Sequence, residues 1–185
     1  MEKSEVLKSI KCIIEGKTPL LMHNPAVMQA PGTKKPGHHP SNEEYCELAA
    51  YWAGEGKKRQ LAIPAEWIYR CILNAATSYK VGKKFLSTLL AGTMKIEPNM
   101  IPLGTAKYEI DVRTVVIQGN RIFRARPRLD EWSAEFRIVY DTRFVPKDTL
   151  KEVLVDAGIR IGIGDFRPQK KGWFGTFNVT DWEEE

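Results

Sequence analysis

Five arginines, Arg113, Arg121, Arg124, Arg126 and Arg128, gather in a stretch rich in β-branched residues. In an extended chain alternate side chains share a face, and each step of two residues advances about 7 Å. Arg124, Arg126 and Arg128 therefore line one side of a strand at a spacing that suits successive phosphates of a polyanion. The same pattern also describes a solvated strand whose arginines pair with Asp111, Asp130 or Glu131. The arginines outnumber these acids, which favours an external anion.

The second concentration of chemistry lies at residues 158–175, where Gly158, Gly162, Gly164, Gly172 and Gly175 punctuate the chain. Glycines let a backbone approach a ligand and leave amides to hold an anion. Arg160, Arg167, Lys170 and Lys171 add charge, and Phe166, Trp173 and Phe174 add rings on which bases can stack. The run is not a phosphate-binding loop of the G-x-x-x-x-G-K-[ST] type. Gly162-Ile163-Gly164 also lacks the third glycine and following helix of a dinucleotide site. Residues 171–177 look loosely like the RNP1 stretch of RNA-recognition folds, although on the last strand and not the third. Taken alone, the run also fits a tight connection between elements.

His23 and His38, with His39, fall in a Pro- and Gly-rich loop at residues 23–40 that also carries Lys34 and Lys35. Either histidine could deprotonate a ribose hydroxyl. No carboxylate stands at a diagnostic spacing, so no catalytic residue is assigned beyond these two candidates, and neither a metal nor a cofactor is expected. Cys12, Cys46 and Cys71 form no C-x-x-C pair and fall on apolar faces. That argues against a disulfide framework and a structural zinc site, and it disfavours thiol chemistry.

Positioning these groups falls to 185 residues, 43% hydrophobic and 28% charged, which suits one domain with a core and excludes a disordered or collagen-like chain. The formal charge of +5, from 28 Lys and Arg against 23 Asp and Glu, admits an anionic partner. No apolar run reaches the roughly 18–20 residues of a membrane helix, and the charged residues 1–9 lack the apolar stretch of a secretory signal. A soluble, cytoplasmic protein with no membrane partner is expected.

Alternation predicts a strand over 6–14. Ser41 and Glu44 have capping-box spacing and open a short helix, residues 61–63 are extended, and Pro64 opens a second helix whose stripe is Trp67, Ile68, Cys71, Ile72, Ala75, Ala76 and Tyr79. Residues 81–103 read as irregular. A hairpin follows over 108–126 around Gly119-Asn120, then a strand over 134–141, a helix over 148–157 stopped by Gly158, and a closing strand over 173–179. The acidic tail 183–185 should fray. The order strand, helix, strands, helix, strand fits an α+β, ferredoxin-like β-α-β-β-α-β plan, with one sheet face free in the way RNA-recognition folds use to stack bases.

These pieces resemble the RAMP superfamily, ferredoxin-like (RRM-like) RNA-binding proteins that include the backbone subunits and guide-RNA-processing endoribonucleases of CRISPR systems. Residues 14–21, Ile-Glu-Gly-Lys-Thr-Pro-Leu-Leu, are similar to the family's first strand leading to an inserted arm or thumb. Residues 61–70 are similar to the extended I-P-x-S-S lead-in to the first helix of backbone subunits, with Arg70 nearest the basic position and Ala65-Glu66 where paired serines are usual. Residues 150–179 resemble the final helix, glycine-rich loop and closing strand. The chain is short for a backbone subunit, in keeping with a stand-alone relative carried by a phage or plasmid.

The resemblance implies one RAMP-like domain over residues 1–185, with 23–60 a flexible insertion and the arginine hairpin a thumb or groove. Its partners would be single-stranded RNA or DNA, copies of itself in a linear or helical assembly, and other subunits of a ribonucleoprotein complex. The leading expectation is binding without catalysis. A metal-independent RAMP-type endoribonuclease using His23 or His38, and a basic scaffold for acidic proteins, are the alternatives.

Overall fold

A computed structural model gives the fold, and it describes residues 6–29, 40–117 and 120–185. Lys34, Lys35, His38 and the Gly119 half of the expected turn lie outside the described residues. In chain order the elements are β1 (Leu7–Gly16), β2 (Leu20–Leu21), α1 (Asn42–Ala49), β3 (Trp52–Ala53), β4 (Gln60–Pro64), α2 (Ala65–Ala76), β5 (Lys80–Val81), β6 (Lys84–Phe85), α3 (Leu86–Ala91), β7 (Met94–Glu97), β8 (Met100–Pro102), β9 (Glu109–Ile117), β10 (Asn120–Leu129), β11 (Ser133–Asp141), α4 (Lys147–Asp156) and β12 (Phe177–Glu184). The fold is α+β. Among the described residues no helix is long and apolar enough to cross a membrane.

The main sheet runs β12-β1-β11-β7, every neighbour antiparallel. Period-two alternation buries Ile10, Cys12 and Ile14 of β1, opposite Ile138, Phe136 and Ala134 of β11. Onto this face pack Ile68, Cys71, Ile72, Ala75 and Ala76 of α2, and Leu150, Val153 and Leu154 of α4. Their helical spacing is what makes one stripe apolar, and each large aliphatic buried there contributes about 1.5–3 kcal/mol. The other face carries the opposite-charge pairs Lys11–Glu135, Arg137–Glu185 and Lys95–Glu97. A surface neutralised in this way suits water better than stacked bases.

In chain order the second strand of that sheet, at its edge, is β7, inside the region expected to be irregular. It is only four residues long, Met-Lys-Ile-Glu, and stops at Pro98. The arginine hairpin is not part of this sheet: β9 and β10 form a separate one with β2, in the order β2-β10-β9. The closing strand also starts later than the expected residue 173. Gly175 donates its amide to Pro19 O at 2.8 Å, which holds Trp173 and Phe174 in the loop, and β12 begins at Phe177. The acidic end is anchored, not frayed: Glu184 pairs with Lys8 and Lys147, and Glu185 with Arg137. Gly158 does not stop the last helix, which continues as a π turn over Ala157–Ile161. It is small because a Cβ there would meet Phe177 O at 2.4 Å.

Candidate nucleic-acid interface

The register of the β9–β10 hairpin sets Arg124 opposite Arg113, Arg126 opposite Asp111 and Arg128 opposite Glu109. Asp111, its side chain 5% exposed, accepts from Arg113 Nε at 2.6 Å and Nη2 at 2.9 Å, and lies 3.7 Å from Arg128. Asp130 holds Arg128 through two further bonds of 2.7 and 3.1 Å. Local pairing therefore accounts for two of the arginines. Arg126 is buried, and its Nε sits 2.6 Å from Asp165 Oδ2 as an ion pair without hydrogen-bond alignment. Arg124 is half-buried and has no hydrogen bond or ion pair among the described residues. Arg121 is exposed and, by alternation, belongs to the opposite face.

The glycine-rich loop reaches this hairpin through β2. Leu20 and Leu21 pair with Leu129 and Arg128, and Leu21 O accepts from the Asp165 amide at 2.9 Å. Gly164, at φ +76°, allows that approach, since a Cβ there would stand 2.5 Å from Leu21 O. At Gly172 a Cβ would be 1.8 Å from Phe166 O. The loop's amides are largely consumed within the fold: Gly162, Ile163, Asp165, Lys170, Lys171, Gly172, Phe174 and Gly175 all donate to backbone carbonyls. This corrects the expectation that they wait for an anion. The glycines serve close packing, which leaves the side chains as this loop's groups for an outside ligand.

Those side chains converge. Phe166, Trp173 and Phe174 form a ring cluster, with centroids 5.3 Å apart for Phe166–Trp173 and 5.7 Å for Trp173–Phe174. Phe174 is buried, whereas Trp173 is 59% exposed. The Arg113 guanidinium lies 4.8 Å from the Phe174 centroid and 5.9 Å from that of Trp173, in cation–π range. Asp111 thus fixes Arg113 beside an open indole.

A cleft of about 290 Å³ lies on the other side of the loop, lined by Trp67, Arg70, Asn74, Gly162, Gly164 and Arg167 among others. Arg167 donates to Gly164 O at 2.8 Å and to Gln169 Oε1 at 3.0 Å, and Asn74 also reaches Gln169, at 3.5 Å. Glu66, one helical turn back, holds Arg70 at 2.6 Å. Asp156 holds Arg160 through bonds of 2.6 and 2.5 Å, and Arg160 also reaches Ser78 Oγ at 3.3 Å. Lys170 and Lys171 are exposed.

His23 is stacked on Tyr45, with centroids 6.5 Å apart, and its Nδ1 is buried without a partner among the described residues. Burial lowers its pKa; nearby Arg124 and Arg126 push the same way, and Asp165 opposes them. The imidazole is therefore neutral at pH 7. Burial raises Cys12 and Cys71 to about 12 and Cys46 to about 11, so these thiols are not nucleophiles. Among the described residues no group of three His, Cys, Asp or Glu could hold a metal. Sequence reasoning missed Asp165, the acid that joins loop to hairpin, and the Leu20-Leu21 staple that brings it there.

No family model and no curated protein matches this chain. Among solved structures it is similar to a chain of the type III-B Cmr-beta complex bound to cognate target RNA, determined by cryo-EM. The TM-score is 0.55 and the identity 17%, over 98% of this chain and 62% of that one. This chain therefore spans less than two thirds of that chain's length. The fold is one found in a type III-B CRISPR complex, which agrees with the RAMP resemblance drawn from residues 14–21, 61–70 and 150–179.

Proposed function

We propose that this chain is a RAMP-like protein that binds single-stranded RNA, or single-stranded DNA, without cleaving it, and that copies line up along the strand. Arg113, Arg124, Lys170 and Lys171 contact phosphates, and a base stacks on Trp173. The observation that carries this reading is Arg124, with no acid to pair it among the described residues and set directly opposite Arg113, which itself lies beside the Trp173 ring. Like charges across a ladder cost about 0.2–1 kcal/mol, and a phosphate between them reverses that sign. The fold likeness to a chain of an RNA-bound complex supports it. The sheet order, last strand beside first, first beside third and third beside second once the hairpin is set apart, supports a ferredoxin-like core.

The test is native purification at low salt, with the 260/280 ratio and the particle mass measured before and after nuclease, followed by anisotropy titrations with RNA and DNA of one sequence. A nuclease-sensitive assembly is expected, with log affinity falling by about 0.7 per phosphate contact for each tenfold rise in salt. A clean monomer that binds neither strand overturns the reading.

The endoribonuclease reading has one observation in its favour: His23, neutral and with no hydrogen-bond partner for its Nδ1 among the described residues, stands near Arg124 and Arg126. Metal-free cleavage of RNA that disappears in His23→Ala would replace binding with catalysis.

A further inference from the structure

β5 and β6 form a hairpin of their own, separate from the sheet that carries the arginines. Lys80 pairs with Phe85 and Val81 with Lys84, which leaves Gly82-Lys83 as a two-residue turn. Gly82, at φ +61°, supplies the positive angle that a type II′ turn takes at its first central residue. An isolated two-stranded hairpin is marginal. Here the Leu86 amide closes its base on Tyr79 O at 3.0 Å, and the buried Leu86 side chain ties it to the core.

The hairpin presents Lys80, Lys83 and Lys84, all exposed and without an acidic partner among the described residues. Lys11, Lys95 and Lys147, by contrast, each hold a carboxylate. The acids acting on neighbouring Tyr79 are Asp156 and Glu152, and Asp156 is already engaged by Arg160. Lys80 Nζ stands 4.9 Å above the Phe85 ring, which remains 51% exposed. The hairpin also continues α2, the helix whose Asn74 touches Gln169 of the glycine-rich loop. Ser78, just before the hairpin, accepts from Arg160. The loop next to Lys170 and Lys171 thus touches α2 through Gln169 and Asn74, and Ser78, two residues before Lys80, touches Arg160.

We infer that the β5–β6 hairpin is a second contact for single-stranded nucleic acid, taking the strand as it leaves the glycine-rich loop. This inference rests on the reading above. Lys80, Lys83 and Lys84 neutralise successive phosphates as mobile point charges, and Phe85 offers its open ring to one base. Lysines alone would accept any polyanion; the exposed ring beside them selects a strand with unpaired bases.

The test compares the full chain with Lys80→Gln/Lys83→Gln/Lys84→Gln, Phe85→Ala and Trp173→Ala, using fluorescent oligouridylates of 4 and 20 nucleotides. Affinity is read by anisotropy at several salt concentrations, and circular dichroism melts confirm the fold. For the 20-mer the triple variant should bind at least about tenfold more weakly, with a log–log salt slope shallower by about 2, at 0.7 per phosphate. The 4-mer should bind as it does to the parent. Phe85→Ala should weaken the 20-mer by about fivefold or more through lost stacking, leaving the slope unchanged. If the triple variant matches the parent in affinity and slope for both lengths while Trp173→Ala weakens both, the hairpin inference is overturned and the loop reading stands. If the parent binds neither oligomer at low salt, the loop reading itself fails and the hairpin inference with it.

Discussion

Arg124 stands directly across the β9–β10 ladder from Arg113. Arg113 is answered on one side by Asp111 and on the other by the Phe174 ring, whereas Arg124 has neither. A residue retained for stability would not sit there. Arg124→Gln should leave the melting temperature unchanged or raise it, because removing a like-charge pair returns about 0.2–1 kcal/mol. Its affinity for single-stranded RNA should fall about tenfold, the scale of one charge-assisted hydrogen bond. Thermal melts and anisotropy on the same preparation check both.

Trp173 and Phe174 are adjacent in sequence and opposite in burial. Trp173→Ala should cost about 1–3 kcal/mol of binding, with little change in stability. Phe174→Ala should cost about 3–5 kcal/mol of stability, as for other buried aromatics. Equal effects of the two substitutions on melting would refute the assignment of Trp173 to ligand contact.

Asp165 stands against the buried Arg126. Asp165→Ala strands a guanidinium in the interior and should cost about 3 kcal/mol, the lower end for such pairs because the carboxylate is partly exposed. For a chain of this length that is about 6–12 °C in Tm. The double variant Arg126→Met/Asp165→Leu should recover most of the loss, which calorimetry can measure.

His23 ties stability to pH. Its folded pKa is depressed, so between that value and the unfolded value of about 6.5 the unfolded chain binds more protons. Stability is therefore full above about pH 6.5 and is lost as pH falls below it. The carboxylates of Asp141, Asp156 and Glu184, held low by Arg143, Arg160 and Lys8, add a separate loss in the acidic range below their unfolded values of about 4. Urea titrations between pH 7.5 and 5 should show the first loss, and His23→Gln should flatten it. An unchanged pH profile in that variant would rule His23 out as its source.

Local signals were readable from the residues. The Ser41–Glu44 capping box forms both of its bonds, 3.2 and 3.0 Å, and the stripe from Ile68 to Ala76 is buried as its spacing demands. The placement of arginines on a hairpin was equally legible, because alternation is a property of the strand itself. Which sheet that hairpin joins was not. β7 is four residues long, too short for its periodicity to stand out from Gly92 and Pro98 around it, so the hairpin took its place in the expected order. Trp173 and Phe174 have strand propensity, but Pro19, remote in sequence, captures the next amide and keeps them in a loop. The Arg126–Asp165 pair and the internal use of the glycine-loop amides likewise depend on contacts far apart in the chain.

β1 occupies the middle of its sheet, between β11 and β12. During synthesis its apolar face and both hydrogen-bonding edges must wait until residues 133–184 have emerged. Such non-local pairing makes folding slow and leaves an unpaired strand as a template for other chains. A fragment ending before Phe177 should therefore aggregate instead of folding partway, and nascent chains of this protein would depend on holdase chaperones until the last strand arrives.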